Sequence, residues 1–178
     1  GTMAAVMGIS EADLGVIAAD SGIYIANYNS PGHLVISGAK ENMITALEML
    51  SAKGARVVPL AVAGAFHTPF MASAAEGLAK VVERLNFKDA TIPLIANTTG
   101  LPITAADDIR AELLKQLTES VYWQKSVEYM IDQGVGTFVE IGPGKVLTGL
   151  TRRINRDVRT MNISDAQTIK NMQTGTWN

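Results

Sequence analysis

The sequence contains no cysteine, and that absence removes a disulfide framework, a thiolate nucleophile and any cysteine metal site. Histidine is scarce as well. There are two, His33 and His67, 34 positions apart and outside any HExxH arrangement, which argues against a zinc site. Charge is low, with 15 Lys+Arg against 17 Asp+Glu for a formal net charge of −2, and no basic run builds a field for nucleic acid. No apolar run reaches the roughly 18 residues a membrane span needs, and no signal peptide is visible, so a soluble cytoplasmic protein is expected. What is present is apolar: 47% hydrophobic against 18% charged marks a globular chain with much of its surface covered. A length of 178 residues suffices for one domain with a sizeable core or for two small lobes.

Taken in order, the first sixty residues are regular. TMAAVM (2–7) reads as a strand at once, so the chain either follows a tag scar or begins inside a larger fold. SEAD (10–13) is a Ser cap with an acid three residues on, and Leu14, Ile17 and Ala18 form a helical face. IYIAN (23–27) is a strand, NSPG (29–32) a turn, and HLVIS (33–37) the antiparallel return. A helix over 40–52 and the strand ARVVPL (55–60) complete the order β-α-β-β-α-β, the ferredoxin-like split βαβ.

The remainder alternates helix and strand more loosely. The spacing predicts a helix over 70–85 whose Ala74, Leu78, Val81, Val82 and Leu85 make an apolar stripe for a sheet. TIPLIAN (91–97) reads as a strand covered on both faces, and TTGLPI as loop. Thr104 with Asp107 predicts a helix cap, with Ile109, Leu113, Leu114 and Leu117 facing inward. Another helix is expected near 122–133. GTFVEIGPG (136–144) reads as a buried strand entering a tight turn, followed by a helix at 145–154. A last strand (157–163), a last helix (165–173) and a loose GTWN tail close the chain. Two or three strands are few for a covered parallel sheet, so residues 61–178 are expected to be the C-terminal part of a larger α/β domain.

Near neutral pH, His67 and His33 have the side chains best suited to proton transfer. His67 lies in PLAVAGAFHTPFM (59–71), after small residues and before a helix, where it is either a loop histidine or a general base facing a cleft. His33, at a strand start after a turn, reads as an edge or surface residue. A Ser–His mechanism needs a held serine, commonly on a GxSxG elbow; none occurs, and Ser37, Ser73 and Ser126 all read as structural. The GPG turn (142–144) resembles a phosphate cradle at a helix mouth, but a turn needing glycine dihedrals explains it better. Arg152, Arg153 and Arg156 either meet a phosphate or acidic partner or form a solvated helix end. Glu140, in a strand read as buried, is a candidate partner for an arginine, and Asn27 and Asn29 either form the turn or line a cleft.

NYNSPGHLVISG (27–38), VAGAFHTPFM (62–71), LLKQLTESVYW (113–123) and SVEYMIDQGVGTFVEIGPGKVLTGLTRRI (126–154) closely resemble the malonyl-CoA:acyl-carrier-protein transacylases and related acyltransferase domains of polyketide synthesis. The resemblance implies a ferredoxin-like small domain, 1–60, followed by the C-terminal portion, 61–178, of an α/β-hydrolase-like large domain. It implies that His67 is the catalytic base and that the backbone carbonyl of Gln116 accepts a hydrogen bond from its ring. Phe66 matches a position that selects malonyl over methylmalonyl, Val146 one where backbone meets coenzyme A, and Asn29 one facing the inter-domain cleft. The implied substrate is malonyl-CoA and the implied partner an acyl carrier protein bearing phosphopantetheine; no covalently bound cofactor and no metal are implied. The family's GHSLGE serine segment, its oxyanion glutamine and its carboxylate-binding arginine are absent. The chain alone is therefore expected to be inactive, with an N-terminal companion segment or chain supplying the serine. The competing expectations are a non-catalytic docking module and a serine hydrolase on the same scaffold.

Overall fold

The computed structural model describes residues 1–173, so the GTWN tail lies outside the described residues. The architecture is mixed α/β, and the chain divides into two compact units, one of residues 1–126 and one beginning at Val127.

The first unit opens with β1 (Thr2–Met7), α1 (Glu11–Ser21), β2 (Tyr24–Ser30), β3 (His33–Gly38), α2 (Lys40–Ala52) and β4 (Arg56–Pro59). This is the element order that the sequence predicts. The four strands form one antiparallel sheet in the order β2-β3-β1-β4. Ser10 caps α1 by accepting a hydrogen bond from the Asp13 N–H at 3.1 Å, and Gly22 ends it at φ 69°, a left-handed turn that glycine makes without a Cβ clash.

The period of two along the strands explains why they read as almost continuously apolar. Ala4 and Val6 of β1, with Leu34 and Ile36 of β3, point into a core built with Leu14 and Ile17 of α1 and Met43 and Leu50 of α2. Met3, Ala5, Ala26 and Val35 point to the opposite face, where Leu60 and Phe66 pack on them. β2 runs three residues beyond the expected Asn27, because two irregularities, between Ile25 and Asn27 and between Tyr28 and Ser30, absorb residues that read as turn. Only Pro31 and Gly32 make the turn itself. His33 is not on an edge: β3 is central, and His33 pairs with both Met7 and Ser30.

Past β4 the expectations are corrected in several places. The helix expected over 70–85 is a 3₁₀ turn (Pro69–Met71) leading into α3 (Ala72–Val82). Of its apolar stripe Val82 is buried, while Ala74, Val81 and Leu85 are exposed; the neighbour packed on α3 is a helix and not a sheet. TIPLIAN shortens to β5 (Leu94–Ile95), paired antiparallel with β6 (Pro102–Ile103) inside the segment read as loop. With one partner strand of two residues it is not covered on both faces, and Ile92 is 79% exposed. α4 (Ala106–Lys115) is capped from a distance, by the Asp89 carboxylate accepting the Ala106 N–H at 2.9 Å, and not by Thr104. Leu113, Leu114 and Leu117 are half-buried, and the residue of α4 most enclosed is Glu112. α5 (Trp123–Asp132) follows.

In the second unit β7 (Thr137–Ile141) and β8 (Arg159–Ile163) pair in parallel, joined through α6 (Val146–Ile154), and α7 (Ala166–Gln173) follows. β7 is not the buried strand its composition suggests: a two-stranded sheet leaves one face open, and Ile141 is 79% exposed. Among the described residues no helix is long and apolar enough to cross a membrane.

Candidate active site

The site is built on the crossover that leaves β4. The Leu60 N–H bonds to the Met3 carbonyl at 3.0 Å, continuing the sheet edge, and buried Ala65 then turns the chain. Thr68 is fully buried. Its hydroxyl donates to the Ala65 carbonyl at 2.6 Å and accepts the Phe70 N–H at 3.3 Å, so it closes the turn and caps the 3₁₀ segment begun by Pro69. Between these anchors His67 adopts φ 61°, the one positive φ at a non-glycine position among the described residues. A left-handed histidine is strained, and strain of this kind persists only where the surroundings impose it.

Those surroundings come from the end of α4. The His67 N–H donates to the Leu117 carbonyl at 2.9 Å, and the carbonyls of Gln116 and Glu119 lie beside the imidazole. His67 Nδ1 is buried and completes no hydrogen bond of good geometry, so the two carbonyls act on the ring mainly as nearby dipoles. Burial lowers the His67 pKa below its ordinary 6.5, and the carbonyls, which favour the protonated ring, oppose this without cancelling it. The imidazole is therefore neutral at pH 7 and able to accept a proton.

Segment 117–122 is itself held on both sides. The Ser120 hydroxyl donates to the Ile25 carbonyl at 2.7 Å, the Val121 N–H to the Ala26 carbonyl at 2.9 Å, and the Tyr28 N–H to the Val121 carbonyl at 2.8 Å, so this segment pairs alongside β2 through a parallel bridge. On its other side the Tyr122 N–H bonds to the Asn97 carbonyl at 2.8 Å, and the Tyr122 ring stacks on Tyr28 at 4.7 Å between centroids. Burial pushes the Tyr28 hydroxyl up to about 12, with the neighbouring Tyr122 adding to the shift.

Tertiary structure thus brings His67, Phe66 and Gln116 together from segments fifty residues apart in sequence. Phe66 packs on the second face of the sheet, with its ring so close over Gly64 that a Cβ added there would lie 2.9 Å from it. Asn29 sits in the irregular part of β2 between Tyr28 and Ser30, within the strand and not in the turn. Val146 opens α6 in the second unit, 71% exposed. Ser37 is a buried β3 residue, and the Ser126 hydroxyl bonds back to the Tyr122 carbonyl at 3.0 Å, both structural roles.

The GPG segment is a turn, with Gly142 at φ 136° and Gly144 at φ 94°. Glu140 pairs with the helix mouth and not with an arginine: its carboxylate accepts the Leu147 and Thr148 N–H groups at 3.1 and 2.8 Å. Slight burial acts to raise its pKa, but hydrogen bonds from Thr148 and Leu147 outweigh that and hold it low. The N–H groups that a phosphate would use are thereby already occupied by this chain's own acid. Among the described residues no group of three or more His, Cys, Asp or Glu could hold a metal ion.

Sequence reasoning missed one group at the site. Glu112, 8% exposed, accepts the Thr98 N–H at 3.0 Å, the Thr98 hydroxyl, and the Gln116 side-chain amide at 2.6 Å, while Gln116 Oε1 accepts from Asn97 Nδ2 at 3.0 Å. The available signal was an acid four residues before Gln116, on the half-buried side of α4.

The strain at His67 predicts an ordering of variants. His67→Gly is expected to be about 1 kcal/mol more stable than His67→Ala, since only glycine adopts φ 61° freely. Because the folded state binds the His67 proton more weakly than the unfolded state, its contribution is complete above pH 6.5 and is lost as pH falls through the lower folded value. Urea midpoints at pH 7.5 and 5 check both: the wild type should lose more on acidification than His67→Gly, and equal losses would contradict the burial effect.

A family model described as "acyl transferase domain" matches residues 1–178, and the chain belongs to that family. Within it, the chain is 39% identical over 176 residues to a malonyl CoA-acyl carrier protein transacylase of Bacillus subtilis, covering 96% of this chain and 56% of the relative. It superposes with a TM-score of 0.91 on an acyl-carrier-protein-S-malonyltransferase of Bartonella henselae, at 37% identity, covering 98% of this chain and 57% of the other. A malonyl-transacylase solved in complex with its type II PKS acyl-carrier protein matches with a TM-score of 0.92 at 34% identity, covering 98% of this chain and 58% of that one. The chain spans somewhat over half the length of these relatives.

Proposed function

We propose that these 178 residues supply the general base and part of the acyl pocket of a malonyl transferase, which moves malonyl from coenzyme A to the phosphopantetheine thiol of an acyl carrier protein. The observation that carries the reading is His67: a neutral imidazole forced into a left-handed conformation, set in backbone carbonyls at the exit of a strand. The relatives' names supply the acyl group and the carrier.

In this reading a serine from a companion N-terminal segment or chain loses its proton to His67 and attacks the malonyl thioester carbon. The tetrahedral intermediate collapses, and coenzyme A leaves as the thiol with the proton returned from the imidazolium. The carrier's pantetheine thiol then gives its proton to His67 and attacks the acyl-serine carbonyl carbon; the bond to the serine oxygen breaks, and that oxygen takes the proton back from the imidazolium. The Gln116 carbonyl orients the ring, Phe66 limits the space beside the malonyl α-carbon, and Asn29 and Val146 contact substrate, the latter through its backbone at coenzyme A.

The proposed division is a ferredoxin-like small domain, 1–60, and the C-terminal portion of a hydrolase-like large domain, 61–178. Supporting it are the four-stranded sheet β2-β3-β1-β4 formed within residues 2–59 and apolar residues beyond it left open, Val81, Leu85 and Ile92 among them, as expected of a surface completed by further chain. The division by compactness falls later, at 126, because Ser120 and Val121 are hydrogen-bonded to β2.

The test is a radiolabelled malonyl-transfer assay on the 178-residue polypeptide, alone and joined to a serine-bearing N-terminal acyltransferase segment. The polypeptide alone should give no turnover and the joined protein should malonylate the carrier. Turnover by the polypeptide alone would overturn the missing-serine assignment. Release of free malonate without transfer would define a hydrolase, and inertness of a folded joined protein would favour a docking module.

A further inference from the structure

The acid that sequence reasoning missed is not in contact with the reacting groups, yet every bond it makes ends on the frame that holds them. Glu112 Oε1 accepts both the Thr98 N–H and the Gln116 amide, and Oε2 accepts the Thr98 hydroxyl. Gln116 is the C-cap of α4, so its side chain is gripped by Glu112 and Asn97 while its own backbone carbonyl faces the His67 ring. The next residue, Leu117, accepts the His67 N–H, and Glu119 supplies the second carbonyl. The opposite side of the frame, Ser120 and Val121, is tied to β2. Besides Glu112, Asn97 ties the 97–98 loop to the Gln116 side chain and, through its carbonyl, to the Tyr122 N–H.

We propose that Glu112 is a positioning residue for His67: its enclosed carboxylate clamps the 97–98 loop to the Gln116 amide and thereby sets the 116–119 carbonyls against the imidazole. An acid is suited to this place because three donors converge on it and it accepts from all of them with no donor of its own to accommodate. Its catalytic meaning rests on the reading of His67 as base; its structural action on the ring does not.

Substitutions at Glu112 separate position from charge. Glu112→Gln keeps Oε1 for Thr98 N–H and Gln116, and its new amide can donate to the Thr98 hydroxyl, so it conserves the clamp without the charge. Glu112→Asp keeps the charge but withdraws the carboxylate by one methylene. Glu112→Ala removes both. The first readout is the imidazole nitrogen–proton correlation spectrum of the 178-residue chain, where His33 is the other histidine and serves as internal control. The Asp and Ala variants should move the His67 ring signals toward those of an exposed imidazole with His33 unmoved, while Gln leaves both near wild type. In the serine-bearing protein the Asp and Ala variants should lower kcat by about tenfold with KM for malonyl-CoA little changed, the effect of a displaced base and not of a lost binding contact.

Unmoved His67 signals in a folded Ala variant would overturn the proposal, leaving Glu112 a purely structural residue. So would Asp behaving as wild type and Gln as Ala, which would make the effect one of charge. If the Ala variant does not fold, the Asp and Gln pair decides. Ring signals that respond as expected in a serine-bearing protein that transfers nothing would uphold the clamp and refute the malonyl-transfer reading.

Discussion

Replacement of His67 by alanine in the serine-bearing protein should lower malonyl transfer about a thousandfold, with the fold retained. General acid–base catalysis contributes roughly 10²–10⁴ in rate, and in the proposed cycle His67 would serve in both directions of both half-reactions, so its loss would fall on every proton transfer. A thousandfold corresponds to about 4 kcal/mol of transition-state stabilisation. The fold should survive, since the hydrogen bond from His67 to the Leu117 carbonyl is donated by its backbone N–H, which alanine keeps. Wild-type kcat/KM should fall on the acid side as the imidazole takes up a proton, and that limb should lie below pH 6.5 because burial lowers the His67 pKa. Steady-state rates of transfer to the carrier across pH check both points, and an alanine variant within tenfold of wild type would remove His67 from the chemistry.

Replacement of Phe66 by serine should change which acyl group is accepted, raising kcat/KM for methylmalonyl relative to malonyl by about 10–100-fold, the range that one methyl group commands in an apolar pocket. The ring is held from behind by Met3, Ala5, Ala26 and Val35 and lies tight over Gly64, so it has little freedom to swing aside for an α-methyl. Serine opens that volume. The same substitution strips a half-buried aromatic from the sheet and should lower stability by roughly 3 kcal/mol. Competition between the two coenzyme A thioesters, run beside a melting curve, separates the effects. An unchanged acyl preference in a folded variant would show that the ring is a packing residue only.

These two residues adjoin in sequence, yet they were legible for different reasons. Local signals marked the stretch around them: a β-rich run, then small residues, then a histidine before Thr-Pro. The resemblance assigned the roles of His67, Phe66 and Gln116. None of this revealed Glu112 or the 97–98 loop, because a buried acid and a surface acid at the same helical spacing look alike until the fold shows what encloses them. The helix α3 and the strand β7 show the reverse limit. Their apolar patterns predict burial, but whether Val81, Leu85 and Ile141 are covered depends on which other elements reach them, and in this chain they stand exposed.

The sequence by itself determined the β-α-β-β-α-β order of the first sixty residues, the cap of α1 and the exclusion of cysteine chemistry, because these follow from period, capping and composition within short stretches. It also carried the motifs of the acyl transferase family. Only the tertiary structure decided what makes His67 unusual. Its left-handed backbone, its neutral ring and the carbonyls beside it arise from the meeting of residues 65–68 with 116–119. That meeting is held by Glu112 and by hydrogen bonds to β2, contacts between segments far apart in the chain whose energies no local pattern encodes.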